Sequence, residues 1–217
     1  MNTLGIRILS AMILIPPVLA AVYFGRPWFE MLMFVMLLAM AWEWARLVGR
    51  RAIWLLFGLF YLVVPVWFLV LLRADTEVGR ALVFWLLAVV WASDTGAYVV
   101  GSLVGGPKLA PAISPNKTWS GLAGALASGG MVGWVGGVLW MPEATIPLIG
   151  LGILLGFVGQ MGDLLESWIK RSFGVKDTSK MIPGHGGILD RVDALMAVSF
   201  VMGLMAIAGG GSALSWL

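Results

Sequence analysis

Cysteine is absent from the 217 residues. That excludes disulfides, a thiolate zinc site and a thiol nucleophile. Charge is scarce as well. Asp, Glu, Lys and Arg make up 12% of the chain, against roughly 25% in soluble domains. The net charge of +3 is too small to argue for a nucleic-acid partner. What fills the chain is apolar: hydrophobic residues reach 60% and the mean hydropathy is +0.97. A soluble fold cannot hide that much apolar surface, and disorder and collagen-like structure are excluded too. The composition is that of a polytopic membrane protein. The 29 Gly and 12 Trp agree, because Gly is common in transmembrane helices and Trp gathers at bilayer interfaces.

A helix needs about 20 apolar residues to cross the hydrocarbon core. Seven segments qualify, over 7–24, 28–48, 53–72, 80–104, 119–140, 146–170 and 191–209. The expected fold is all-α, one transmembrane bundle over 1–217. Its N-terminal spans take 1–90, its chemistry-bearing motifs 91–193, and its last span and tail 194–217. The first segment does not read as a cleavable signal, since a second span follows at once. Pro16 and Pro17 are expected to kink it.

Basic residues set the orientation. When the loops are numbered alternately, one side holds Arg7, Arg46, Arg50, Arg51, Lys108, Lys117, Lys170, Arg171, Lys176, Lys180 and Arg191. The other holds Arg26, Arg73 and Arg80, a division of 11 against 3. Short loops rich in Lys and Arg stay in the cytoplasm. The N-terminus is therefore expected inside and Trp216–Leu217 outside.

Two unusual loops fall on the cytoplasmic side. One runs from Gly105 to Trp119; the other runs from Lys170 to Arg191 and carries five of the 14 basic residues. Acidic groups border them from within the spans. Asp94 lies about 21 Å along the fourth span and Asp163 about 26 Å along the sixth, while Asp190 and Asp193 open the seventh. All four are expected to meet near the cytoplasmic edge. Asp163, Glu166, Ser167 and Lys170 share one helix face by their spacing. Ionisable groups at membrane depth cost several kcal/mol on insertion scales, so they pair or serve a function. Carboxylates hold a hard cation such as Mg²⁺, which keeps phosphate oxygens as ligands, while Lys and Arg neutralise the remaining charge. The segment Pro183–Gly187 adds backbone N–H groups expected to line an anion. The residues therefore suggest phosphate chemistry at a membrane surface. Other features have plainer readings: His185, the one histidine, is a structural hydrogen-bonding group. Gly96, Gly101, Gly105, Gly121, Gly124, Gly129 and Gly130 are packing contacts, and Glu43 pairs with Arg46 one turn later.

The stretch from Ser167 through Lys176, Ile182-Pro-Gly-His-Gly-Gly187 and Asp190 to Asp193 covers 27 residues. It resembles the signature of the phosphatidate cytidylyltransferase, or CDP-diacylglycerol synthase, family of bacterial type. Asp94-Thr-Gly-Ala-Tyr98, Ser114-Pro-Asn-Lys-Thr-Trp119 and Gly159-Gln-Met-Gly-Asp163 resemble further blocks of it. Position 120 departs, with Ser where the family commonly has Glu, and the N-terminal part is shorter than in typical members. The resemblance implies a nucleotidyl transfer in phospholipid biosynthesis: CTP plus phosphatidic acid gives CDP-diacylglycerol and pyrophosphate. It implies Asp163, Lys170, Asp190 and Asp193 as catalytic residues, with Asp163, Asp190 and Asp193 as ligands of Mg²⁺; a second, monovalent cation such as K⁺ is allowed. Lys117, Ser167, Arg171, Lys176, His185, Gly186, Gly187, Arg191 and Asp94 would bind substrate. A homodimer in the bacterial inner membrane, with its active site facing the cytoplasm, is also implied. Two other readings stand beside this one: a cytidylyltransferase for another lipid phosphate, and a transporter, which would favour midplane charges and repeat symmetry. An alcohol phosphotransferase ranks low, for want of its D-G-x-x-A-R motif.

Overall fold

A computed structural model describes residues 3–76 and 78–210. The expected location of Trp216–Leu217 lies outside the described residues. Seven helices follow in order: α1 (Thr3–Phe24), α2 (Trp28–Val48), α3 (Ala52–Ala74), α4 (Gly79–Val104), α5 (Trp119–Trp140), α6 (Thr145–Ser172) and α7 (Leu189–Ala208). Six of them, α2 to α7, are long and apolar enough to cross a bilayer; the described apolar part of α1 is the shorter Leu9–Phe24. Helix α1 runs through Pro16 and Pro17, and α3 runs through Pro65. Large apolar side chains face outward, with Ile53, Leu103, Leu139 and Ile146 each at least 80% exposed. This is the outer surface of a bundle solvated by lipid.

Lipid tails are as apolar as leucine, so helices in a bilayer associate through close packing rather than water exclusion. Helix α5 achieves this with glycine on two faces. A Cβ on Gly121 or Gly124 would press on α4 near Ala97, Gly96 and Val100. One on Gly129, Gly133 or Gly137 would be driven into the α6 backbone at Gly152, Leu148 and Thr145. Helix α5 therefore lies between α4 and α6, and its glycine-rich faces are filled from within the chain. Helix α7 packs on α6 and α3, and α2 packs on α3. Gly105 is not the packing contact expected of it. It caps α4 with a φ of 65°, and nothing lies within 4 Å of its would-be Cβ.

The all-α expectation needs one amendment. The α4–α5 connection forms an antiparallel hairpin of β1 (Lys108–Ala110) and β2 (Ser114–Thr118), with Lys108 opposite Thr118. Pro107, Pro111 and Pro115 disfavour a helical connection, and the hairpin returns the chain beside its start. Thr118 ends β2 and caps α5, accepting from the Gly121 N–H at 3.0 Å. Ser120, the position that departs from the family pattern, donates to the Gly105 carbonyl and fastens the hairpin to the end of α4.

The polar residues separate to two ends. Arg26, Arg73 and Arg80 line one basin of about 510 Å³. There Arg73 donates to the Val22 carbonyl at 2.7 Å, and Arg80 stacks on Tyr23. The hairpin, the α2–α3 turn and the α6–α7 loop gather at the other end. The alternation of loops read from the sequence therefore holds in space.

Candidate active site

Helix α6 supplies the floor of the site. Asp163, Glu166, Ser167 and Lys170 lie on one face, as their spacing requires: Ser167 donates to Asp163 at 3.2 Å, and Lys170 lies 3.5 Å from Glu166. The hairpin brings Lys117 over this face. Its Nζ meets Asp163 Oδ2 at 2.7 Å and the Gln160 side-chain oxygen at 2.9 Å. Gln160 in turn donates to Asp94 of α4 at 3.1 Å. Asp94, Gln160, Lys117, Asp163 and Ser167 thus form one hydrogen-bonded chain. Asp94 and Asp163 stand ten and nine residues before the ends of their helices. That is about 14–15 Å below the loops.

Asp190, at the start of α7, belongs to a second group. Its Oδ1 accepts from Lys170 at 2.6 Å; its Oδ2 accepts from the Gly187 N–H at 2.7 Å and from the Thr178 N–H and hydroxyl at 3.0 Å each. Asp193 follows one turn deeper, beside Glu166 and close enough to Asp94 and Lys170 to act on their charge. The four aspartates therefore lie in one region but engage different partners. Asp190 organises the loop, while Asp94 and Asp163 lie along the Lys117 chain and Asp193 stands between the two groups.

Above them the α6–α7 loop encloses a basin of about 550 Å³ lined by Lys176, Lys180, His185 and Arg191. Its backbone differs from the expected anion nest. The His185 and Gly186 amides both donate to the Ile182 carbonyl, and the Gly187 amide goes to Asp190. The turn uses its N–H groups to close itself, with Gly184 and Gly186 at positive φ. Anion binding there falls to the side chains. His185 accepts or donates through Nδ1 at 2.7 Å from Ser10 of α1. Arg171 is exposed outside the basin lining, with Nη1 on the Val175 carbonyl at 2.7 Å.

The expectation for Glu43 is overturned. Glu43 does not pair with Arg46, whose guanidinium lies 4.7 Å over the Trp42 ring. It is fully buried on α2 and accepts from Ser179, Thr178, Ile188 and Leu189 of the α6–α7 loop and α7. Its partners lie 135 to 146 residues along the chain, beyond any local spacing rule. The one available signal was an acidic residue well inside the second span.

The donor set suits a hard cation in part. Both Glu166 oxygens are buried without a hydrogen-bond partner, beside Asp193 and near Asp163. Excess anionic oxygen of this kind fits Mg²⁺. The oxygens of Asp190 and Asp163, by contrast, are met by protein donors, those of Asp163 by Ser167 and Lys117. Among the described residues no three His, Asp or Glu side chains form a metal cage of their own. Mg²⁺ in nucleotide sites is commonly held by one or two carboxylates and the substrate phosphates.

Fold and site define a multi-pass membrane protein whose carboxylates and basic groups gather at one end of its helices. A model of the cytidylyltransferase family matches residues 50–208, and the chain belongs to that family. It is 46% identical over 153 residues to a phosphatidate cytidylyltransferase of Brucella suis, which aligns 69% of this chain with 55% of that protein. It is 33% identical over 210 residues to the phosphatidate cytidylyltransferase of Rickettsia bellii, covering 93% of this chain and 90% of the relative. The one from Rickettsia conorii is 34% identical over 215 residues. The chain thus spans about half the length of the Brucella relatives it matches and most of the Rickettsia ones.

Proposed function

We propose that the chain transfers a cytidylyl group from CTP to phosphatidate, giving CDP-diacylglycerol and pyrophosphate. The observation that carries this reading is the continuous run of polar groups from the Lys176–Arg191 basin down to Asp94. A water-soluble nucleotide enters at the top of such a run, and a lipid phosphate reaches it from the side. An oxygen of the lipid phosphate attacks the α-phosphorus of CTP. A new P–O bond forms, the bond to the bridging oxygen breaks, and pyrophosphate leaves with that oxygen. The attacking phosphate is already anionic at neutral pH, so no strong base is required.

The barrier is charge crowding between two anions, so positioning and fixed positive charge carry the catalysis. Lys176, Lys180 and Arg191 neutralise the nucleotide phosphates. Lys117, aimed by Asp163 and Gln160, meets the lipid phosphate at membrane depth. Lys170 is held between Asp190 and Glu166 and fixes the boundary between the two substrates. Asp193, next to Glu166, and Asp163, once Lys117 turns from it to the lipid phosphate, would hold Mg²⁺ against the nucleotide phosphates. When bound, the ion supplies further charge neutralisation at the reacting phosphorus. We place the loop-rich end in the cytoplasm of a bacterial inner membrane, on the 11-to-3 division of basic residues.

Purified protein in detergent, given radiolabelled CTP, Mg²⁺ and phosphatidate, tests the reaction. CDP-diacylglycerol identified by mass is the expected product. Turnover without a membrane gradient separates the enzyme from a transporter. A panel of lipid phosphates then decides the acceptor, and activity confined to an acceptor other than phosphatidate would overturn the proposal.

A further inference from the structure

We propose that Glu43 is a positioning residue for this reaction: a buried carboxylate on α2 that holds the α6–α7 loop in its nucleotide-binding shape. The inference deepens the preceding reading and rests on it for the identity of the nucleotide. Glu43 lies outside the 50–208 stretch that matches the family model. Its side chain is wholly buried, and it accepts from Ser179 Oγ at 2.6 Å and from the Ile188 and Leu189 N–H groups at 2.9 Å each. A longer contact of 3.3 Å reaches Thr178 Oγ1, whose single proton is shared with the nearer Asp190.

These donors come from the middle of the α6–α7 loop and from its junction with α7. Ser179 lies midway along the loop and lines the basin, and Ile188 and Leu189 lie where it enters α7. One carboxylate therefore ties the middle of the loop to the start of α7. The amides belong to the start of α7, where the helix dipole favours a negative charge. Gly187 permits the approach: a Cβ there would collide with Thr178 Oγ1 and come within 2.6 and 2.7 Å of the two Glu43 oxygens. Asp190 grips the same segment from the inner side, through Thr178 and Gly187.

The platform beneath Glu43 is rigid. Trp44, its neighbour on α2, packs among Trp54, Phe57 and Tyr61 and donates to the Trp54 carbonyl at 2.9 Å. Trp54 and Arg51 both pack on Phe173, where the loop leaves α6. Among the described residues no basic side chain forms an ion pair with Glu43. Its charge is balanced by loop donors, and a buried charge without them is costly. Opening the loop removes that balance, so closure behaves as a single step and the basin keeps its shape before nucleotide arrives.

The absence of cysteine makes the test direct. A nitroxide on Met181→Cys, an exposed loop position outside the basin lining, reports loop mobility. Glu43→Gln keeps the side-chain size but turns one acceptor into an NH₂ group facing donors. With the label in place and no nucleotide, its spectrum should sharpen relative to the wild-type background. The KM for CTP should rise about tenfold, the scale of losing one hydrogen bond. The KM for phosphatidate and kcat at saturating CTP should hold, a split that general loss of structure would not give. Glu30→Gln, at the opposite end, should move neither readout. An immobile label in folded Glu43→Gln protein would overturn the anchor, and a mobile loop with unchanged KM for CTP would overturn the positioning role. If Glu43→Gln does not fold, Ser179→Ala removes the 2.6 Å donor while leaving the carboxylate; both readouts should then shift the same way by less, and no shift sinks the proposal. Should the wild type transfer no cytidylyl group, the label still reads the anchor and the binding of CTP with Mg²⁺ replaces KM. The two readings therefore fail separately.

Discussion

The two lysine–carboxylate pairs look alike in sequence and differ in burial. The Lys117 and Asp163 side chains are 16% and 33% exposed, whereas those of Lys170 and Asp190 are 10% and 2% exposed. Breaking the first should cost little stability, at most about 1 kcal/mol by the behaviour of partly solvated pairs. Asp163→Asn should therefore leave the melting temperature in detergent nearly unchanged while cytidylyl transfer falls to near background. Near-normal activity at ordinary Mg²⁺ would remove Asp163 from the site. Lys170→Met is a different experiment, because it strands Asp190 and Glu166 as buried charges. A loss of about 3–5 kcal/mol is expected for such a break. Melting and activity should then fall together, and a variant that melts like the wild type would show that Lys170 is not needed to balance the buried carboxylates. His185 is tied to Ser10 of α1 by a hydrogen bond of 2.7 Å. His185→Asn should lower kcat at saturating CTP by less than the 10²–10⁴-fold typical of a lost general acid or base, and the pH profile should keep its shape. A vanished limb would make His185 a catalytic group.

Helix α5 shows how far an element's sequence determines its packing. A Cβ on Gly133 would be driven into the Leu148 carbonyl, part of a backbone that cannot step aside, whereas Gly150 of α6 faces open space. Gly133→Ala should destabilise the bundle by about 1–3 kcal/mol, the range for overpacking. Gly150→Ala should be neutral or slightly stabilising, since alanine is the better helix former. Thermal unfolding of the two variants in the same detergent decides between a packing role and mere helix preference. Most helix limits were legible because an apolar run has a length set by the bilayer; α5 begins and ends where its run does, at 119 and 140. The Asp163–Lys170 face was legible because helix spacing is local. The hairpin was not, since three prolines in a polar loop forbid helix without specifying a strand. Nor were the partners of Asp190 and Glu43, because their donors lie in a loop whose path is set by tertiary contacts. The signature residues pointed to one end of the molecule, but the different partners of Asp190 and Asp163 needed coordinates.

At the scale of the whole molecule, charge asymmetry and geometry bear on the same question. Arg26, Arg73 and Arg80 meet at one end, and the loop-rich opposite end carries the basic basin and the Lys117 chain. The proposed orientation, with the site toward the cytoplasm, rests on the positive-inside tendency. The chemistry asks for the same orientation: CTP is a cytosolic nucleotide and too highly charged to cross lipid unaided. The chain's lack of cysteine allows single-cysteine labelling in intact cells. Thr76 and Ala112 are exposed at opposite ends of the bundle, and neither takes part in the hydrogen bonds of the site. Thr76→Cys should react with a membrane-impermeant maleimide from outside. Ala112→Cys should react only after the membrane is permeabilised. Ser179 would be a poor labelling position despite lying in the loop, because its hydroxyl holds Glu43. The reverse pattern would turn the molecule over and leave its loop-rich end without access to CTP, sinking the orientation and the proposed reaction together. Labelling of both positions in intact cells would mean that the chain inserts both ways, which the strong division of basic residues argues against.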